Sequence, residues 1–192
     1  MKRLEPNKIR RSLSRSLATD NRRTIQIEGY RHSAVLVPII DSGGECTLLF
    51  TKRTEEVETH KGQVSFPGGV VDNDDRDPIH TALREAFEEV GIPGDSVETL
   101  GLLDDLTTPM GFVITPVVGY IASLPHIVPS RVEVAEAFQV PLSFFADRAN
   151  GRVEYRELSA RRHEVWFYDT GEHVIWGATA KIIRLLMEKL DA

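Results

Sequence analysis

The sequence predicts an α+β fold in which a mixed β-sheet carries helices on its faces. Three observations carry that expectation. Strand-like and helix-like segments are interspersed without the regular alternation of a purely parallel architecture. One helical segment has clear end signals. With 192 residues, 41% of them hydrophobic, the chain is long enough to bury roughly 70% of its unfolded surface without disulfide or metal staples. No internal repeat, low-complexity tract or long Ser/Gly/Pro linker divides it.

In chain order, Ile9, Leu13 and Leu17 recur every four residues, which predicts a short amphipathic helix with its apolar stripe docked on the body and arginines around it. Runs 34–40 and 47–51 flank the turn Asp41-Ser42-Gly43-Gly44 and read as a hairpin. Residues 63–66 read as extended. A helix over Pro78–Val90 follows: Asp77 can cap it, Pro78 suits its first position, and Gly91-Ile92-Pro93-Gly94 stops it. Segments 98–106 and 113–122 read as strands, 133–138 as a short helix, 153–158, 164–168 and 173–175 as strands, and 178–190 as a final helix. Trp166 and Trp176 are expected in the core, with base stacking by Trp166 or Tyr168 as the alternative.

Charge is unevenly placed. The net charge is −6, yet residues 1–23 hold eight basic and two acidic residues, leaving −12 on the rest. Residues 1–28 therefore read as a basic amphipathic arm and 29–192 as the main domain. A basic arm suits nucleic acid, a targeting peptide or a solvated surface helix. It lacks the apolar core of a secretory signal, while its Arg/Ser-rich, acid-poor character also suits a mitochondrial presequence. The ending Leu190-Asp191-Ala192 is not a peroxisomal tail. The apolar runs fall well short of the roughly 18 residues of a membrane span, so no membrane partner is expected. The single Cys46 cannot form an internal bridge; it reads as a small buried hydrophobe and agrees with a cytoplasmic setting. With no Gly-x-Ser-x-Gly elbow and its one cysteine in a strand-like run, the chain offers no nucleophilic triad.

The chemistry concentrates in Gly68 to Ile92. At about 100° per residue, Leu83, Ala86, Phe87 and Val90 share one helix face, and Glu85, Glu88 and Glu89 the opposite one. Such carboxylates weaken a bare helix by a few tenths of a kcal/mol per pair. They form either a solvated acidic face or a seat for a hard divalent cation, which prefers oxygen ligands and leaves positions for substrate phosphates. Arg84 can pair with Glu88 four residues on. The loop Phe66-Pro67-Gly68-Gly69 precedes the helix; its glycines let backbone approach a ligand closely. The acidic run 72–77 reads as capping the helix and favouring its N-terminal dipole. Arg53 and Lys52, just before the loop, could meet phosphate or simply be solvated, and His60 reads as an exposed polar group.

These residues resemble the signature of the Nudix hydrolases: Gly, five residues, Glu, seven residues, then Arg-Glu-apolar-any-Glu-Glu-any-Gly-apolar. Gly69 opens it, and Arg84-Glu85-Ala86-Phe87-Glu88-Glu89-Val90-Gly91-Ile92 matches the second half throughout. Asp75 stands where Glu is usual, and eight residues separate it from Arg84. The coenzyme A pyrophosphatase branch is similar in both departures. Its upstream motif resembles Leu49-Phe50-Thr51-Lys52-Arg53-Thr54, then Glu58, Gly62 and Phe66-Pro67-Gly68-Gly69, with Phe50, Thr54 and Glu58 departing; Glu58 places an anion where the branch has Arg. The stretches 133–142 and 175–180 are also similar to that branch.

The resemblance implies an α/β/α sandwich over residues 29–192 and Mg²⁺- or Mn²⁺-dependent hydrolysis of a small nucleoside diphosphate derivative, coenzyme A or a relative. It implies Glu85, Glu88 and Glu89 as metal ligands and catalytic groups with Arg84, and Arg53, Gly62, Phe66, Gly68 and Gly69 on the substrate side. Glu85 is one candidate general base; Glu133 and Glu136 are others if their segment folds into the site, the alternative being that they lie on a surface helix. ADP-ribose and a non-catalytic binding module are the alternatives. Nucleic acid is disfavoured, and a homodimer is left open.

Overall fold

The computed structural model describes residues 5–18, 22–54, 62–158 and 161–191; Glu58 and His60 lie outside them. The chain runs α1 (Pro6–Leu17), β1 (Arg31–Asp41), β2 (Cys46–Arg53), β3 (Val64–Ser65), β4 (Gly68–Val70), α2 (Pro78–Val90), β5 (Glu98–Leu102), β6 (Leu106–Thr107), β7 (Phe112–Ile121), β8 (Val134–Pro141), α3 (Leu142–Ala146), β9 (Gly151–Leu158), β10 (Arg161–Asp169), β11 (Val174–Trp176) and α4 (Gly177–Leu190).

β1 is the centre of the larger sheet. It pairs in parallel with β7 from Arg31↔Phe112 to Ile40↔Ile121 and antiparallel with β2 and β4, so the sheet is mixed. Its main path is β3-β2-β1-β7-β5, with β8 on β2 and β6 on β7. Successive side chains of a strand point to opposite faces. Ala34, Leu36 and Ile40 accordingly meet Ala82, Ala86 and Val90 of α2, while Val37 and Ile39 join a cluster with Ile9 and Leu13 of α1 and Ile182, Ile183 and Leu186 of α4. Both faces are covered, which is why 34–40 reads as a continuous apolar run. The result is an α/β/α sandwich, with an antiparallel sheet β9–β10–β11 beside it. Among the described residues no helix is long and apolar enough to cross a membrane.

α1 docks through its apolar stripe. Leu17 lies against β5 where Gly101 has φ +148°, and a Cβ there would stand 2.6 Å from Leu17 Cβ. Arg10 reaches across to Glu98 at 2.7 Å. The segment after α1 is tied down by buried Asp105, whose carboxylate accepts from Arg22, the Ile25 amide and the Thr115 hydroxyl. Those bonds also interrupt the strand expected over 98–106, which is two short strands. Cys46 is buried and its thiol is pushed up to about 12, chiefly by burial, so it stays an unreactive small hydrophobe.

Three expectations are corrected. Segment 133–138 is not a helix; Glu133 ends a turn and 134–138 belong to β8, where Ala/Glu helix preference yields to pairing with β2 from Thr47↔Pro141 to Arg53↔Val134. Phe87 is 59% exposed whereas Glu89 is buried: the buried arc of α2 is turned about 60° toward the carboxylates. Trp176 is partly exposed, stacked on Phe167, because it sits at the end of the short strand β11.

Candidate active site

The glycine loop brings backbone against backbone. Gly68 and Gly69 pair with Val35 and Ala34 of β1. A Cβ on Gly68 would come within 2.5 Å of the Ala34 carbonyl oxygen, and one on Gly69 within 2.4 Å of the Glu85 carboxylate. The first glycine lets the loop reach the sheet, and the second leaves room for a carboxylate from α2.

α2 starts where Asp77 accepts the His80 amide at 2.8 Å, and ends at Gly91 with φ +74° and its N–H on the Phe87 carbonyl. Those limits fix which carboxylates face the loop. Ahead of the helix, the Asp75 side chain is 1% exposed and accepts from Arg84 Nε and Nη2 at 3.1 and 2.9 Å and from the Thr81 hydroxyl at 2.9 Å. The Arg84 guanidinium holds that carboxyl below the ordinary carboxylate range, against the opposing effect of burial. Arg84 also donates to Glu85 at 2.9 Å, Glu88 at 3.2 Å and the Val70 carbonyl at 3.2 Å. One guanidinium thus joins the loop, the acidic run and the helix, using the fork of donors that only Arg supplies.

The two carboxylates nearest the loop are held differently. Burial raises Glu85 while its bond with Arg84 opposes the rise. Glu89, 4% exposed at its side chain, is pushed up to about 8, first by burial and further by Glu85 and Glu133, with Arg53 and the Gly68 amide pulling the other way. Arg53 Nη1 is 3.7 Å from Glu89 Oε1. Arg53 Nε and Glu89 Oε2 are buried with no hydrogen-bond partner. Glu88 is 56% exposed and turned to Arg84.

The approach to β8 completes the rim. The Ser130 amide donates to the Glu89 carbonyl and the Val128 amide to that of Val90, and the Thr54 amide donates to the Glu133 carbonyl. Exposed Glu133 is thereby held beside Glu85 and Glu89, while Glu136 turns to His173 at 3.4 Å.

Of the residues singled out by sequence, Glu85, Glu89, Arg53, Gly68, Gly69 and Arg84 come together. Phe66 does not face the site: it is 2% exposed and stacked on Phe50 at 4.8 Å, anchoring the loop in the core. Gly62 sits in the turn before β3 with φ +65°. Trp166 carries Arg184 over its ring, and Tyr168 packs edge-on to Phe145. No local pattern in the sequence announces the tie between Asp75 and Arg84 or the burial of Glu89; the out-of-place Asp at 75 is the one signal of the former.

An orphaned, buried carboxylate oxygen fits a divalent cation, which would replace the lost water contacts. Among the described residues no three His, Cys, Asp or Glu side chains are grouped to hold an ion alone. Mg²⁺ commonly binds through one or two carboxylates, keeping waters and taking substrate phosphates, and Glu85 with Glu89 offers that number.

Comparison with known proteins bears on the family and the fold. The family model described as the NUDIX domain matches residues 30–166. The chain is 43% identical over 163 residues to a Photorhabdus laumondii protein named uncharacterized Nudix hydrolase NudL, covering 84% of this chain and 86% of that one. It is 45% identical over 160 residues to a protein of the same name from Pectobacterium atrosepticum, covering 81% of each. Among solved structures, a MutT/nudix family protein from Enterococcus faecalis has a TM-score of 0.57 at 16% identity, over 88% of this chain and 66% of that one. A NUDIX hydrolase from Alicyclobacillus acidocaldarius has 0.56 at 18%, over 85% and 93%. These two likenesses concern the fold.

Proposed function

The chain belongs to the NUDIX domain family and is a Nudix hydrolase, a pyrophosphatase, and from that premise we propose that it is a Mg²⁺- or Mn²⁺-dependent diphosphohydrolase of coenzyme A or a coenzyme A derivative, acting in the cytoplasm. The products are 4′-phosphopantetheine, or its acyl form, and adenosine 3′,5′-bisphosphate. The observation that carries the reading is the pair Glu85 and Glu89, set against the Gly68–Gly69 loop with a buried Glu89 oxygen lacking a partner.

Each residue then has a task. Glu85 and Glu89 would hold the cation, with Glu88 as a third ligand and the Gly68 or Gly69 carbonyl completing the shell. When bound, the cation offsets charge on the diphosphate and lowers the pKa of a water. Arg53, already turned toward the carboxylates, meets a phosphate oxygen. Arg84 fixes the Glu85 rotamer and is itself fixed by Asp75. Glu133, exposed beside both metal-site carboxylates, is placed to take a proton from the attacking water at its carboxylate, with Glu85 as the alternative base. A positioned base contributes about 10²- to 10⁴-fold.

The substrate assignment rests on resemblance of the segment 49–69 to the coenzyme A branch. Glu58 favours a second reading, in which ADP-ribose or another nucleoside diphosphate derivative is cleaved, because it opposes the phosphates of coenzyme A. A non-catalytic module is disfavoured by the retention of Glu85, Glu88 and Glu89. Purified protein with Mg²⁺ or Mn²⁺ is assayed on coenzyme A, ADP-ribose and dinucleoside polyphosphates, with products resolved by chromatography. Coenzyme A is expected to give the two products named. Preference for ADP-ribose selects the second reading, and cleavage of none overturns both. Glu58→Arg should shift preference toward coenzyme A.

A further inference from the structure

α1 buries Pro6, Ile9 and Leu13 and turns cations outward on both flanks of that stripe. On one flank Arg10 is engaged: its guanidinium pairs with Glu98 and lies 5.7 Å from the Tyr120 ring centroid. The other flank faces the C-terminal end of α4 across a groove of about 630 Å³, lined by Lys8, Arg11, Ser12, Arg15, Ser16 and Lys189. Four cations and two hydroxyl side chains line this groove, and among the described residues no carboxylate does. Among ion pairs of the described residues, only Lys8 is drawn in, by exposed Glu5 at 2.9 Å.

This placement works against the helix that carries it. Arg11 and Arg15 are like charges four residues apart, which costs a few tenths of a kcal/mol. Lys8 lies in the first turn, where the helix dipole disfavours cations, and Lys189 adds a further positive charge across the groove. An anion seated between the two walls relieves all three.

We infer that the groove between α1 and the end of α4 is an anion site for a small molecule bearing two or more phosphate groups. Its volume falls within the roughly 300–1,000 Å³ usual for small-molecule sites. A membrane surface suits it less, because the apolar face of α1 is already spent on the core and a concave wall meets a bilayer poorly. Nucleic acid suits it less as well. Four cations fall short of the roughly six to ten phosphate contacts of typical binders, and the rest of the chain carries −12, which repels a long polyanion. The inference stands on the groove alone and is independent of the diphosphatase reading.

The test is a calorimetric titration of the full chain with inorganic tripolyphosphate in EDTA at low salt. Wild type should bind one equivalent, and Arg11→Ala/Arg15→Ala should bind at least tenfold more weakly with an unchanged Tm. Arg11→Lys/Arg15→Lys should keep the affinity within about threefold. If the alanine pair melts early, Lys189→Glu on the opposite wall should reproduce the loss. Glu85→Gln/Glu89→Gln should bind as wild type does. Absence of binding, equal affinity of the groove variants, or binding to anionic vesicles or duplex DNA that is tighter than to tripolyphosphate and lost in the groove variants overturns the inference.

Discussion

Arg53 Nη1 stands 3.7 Å from Glu89 Oε1, while Nε of the one and Oε2 of the other are buried without hydrogen-bond partners. The pair is close enough to interact and too loose to satisfy either member. Buried charges normally find both partner and hydrogen bonds, so this geometry is that of a site waiting for a third charge.

The two loop glycines separate fold from function. In Gly69→Ala the new methyl meets the end of the Glu85 side chain, which can move. Thermal stability should hold within about 1 kcal/mol of wild type, as for surface-like changes, while hydrolysis falls at least tenfold because the carboxylate is displaced. In Gly68→Ala the methyl meets the Ala34 and Val35 backbone, which cannot. There Tm should fall together with activity. Melting curves and rates on both variants decide the matter.

Asp75 is a positioning group. Asp75→Ala leaves Arg84 without its principal acceptor, and because that guanidinium keeps some solvent contact the cost should lie near about 2–3 kcal/mol. For a chain of this size that is a Tm lowered by roughly 5–10 °C. Activity should drop as Glu85 loses its fixed neighbour.

Metal-free stability should depend on pH in a defined window. Glu89 is raised in the folded protein to about 8 from an unfolded value near about 4.3. Its protonated form is the one the fold favours, so its contribution is fully present below about 4 and is lost as pH rises toward about 8. Asp75 is depressed, so its contribution is present above about 4 and is lost in stronger acid. Tm in EDTA should therefore decline from mildly acidic to mildly alkaline pH, and Glu89→Gln should flatten that decline. Added Mg²⁺ should reverse it, since the cation needs the ionised form and releases the proton.

Phe66 and Phe87 exchange the roles that their sequence positions suggest. Phe66→Ala opens a core cavity beside Phe50 and should cost about 3–5 kcal/mol. Phe87→Ser, on an exposed helix face, should stay within about 0.5 kcal/mol. Denaturant titration of the two variants checks the contrast.

Much of this molecule is written locally. Asp77, Pro78 and Gly91 mark the ends of α2 without reference to the rest of the chain, and Asp41 to Gly44 mark a hairpin turn. The same is true of the spacing that places Glu85, Glu88 and Glu89 together on one helix. What depends on distant partners is not written there. The rotation of α2 that buries Glu89 and exposes Phe87 goes with the sheet face against which Ala82, Ala86 and Val90 pack. β8 is a strand because β2 offers an edge, not because Glu133 to Phe138 prefers extension. Glu133 is held at the site from a distance, its carbonyl accepting the Thr54 amide and its N–H donating to the Ser130 carbonyl, while the Ser130 amide donates to the Glu89 carbonyl.

The most direct measurement is the rate of Mg²⁺-dependent coenzyme A hydrolysis by Glu89→Gln beside wild type, with isothermal titration of Mg²⁺ into both. The substitution keeps the size of the side chain and removes its charge. Loss of Mg²⁺ binding at this site with a rate lowered by at least about 10²-fold, at undiminished metal-free Tm, is the predicted result. A variant that binds Mg²⁺ and cleaves as fast as wild type contradicts it.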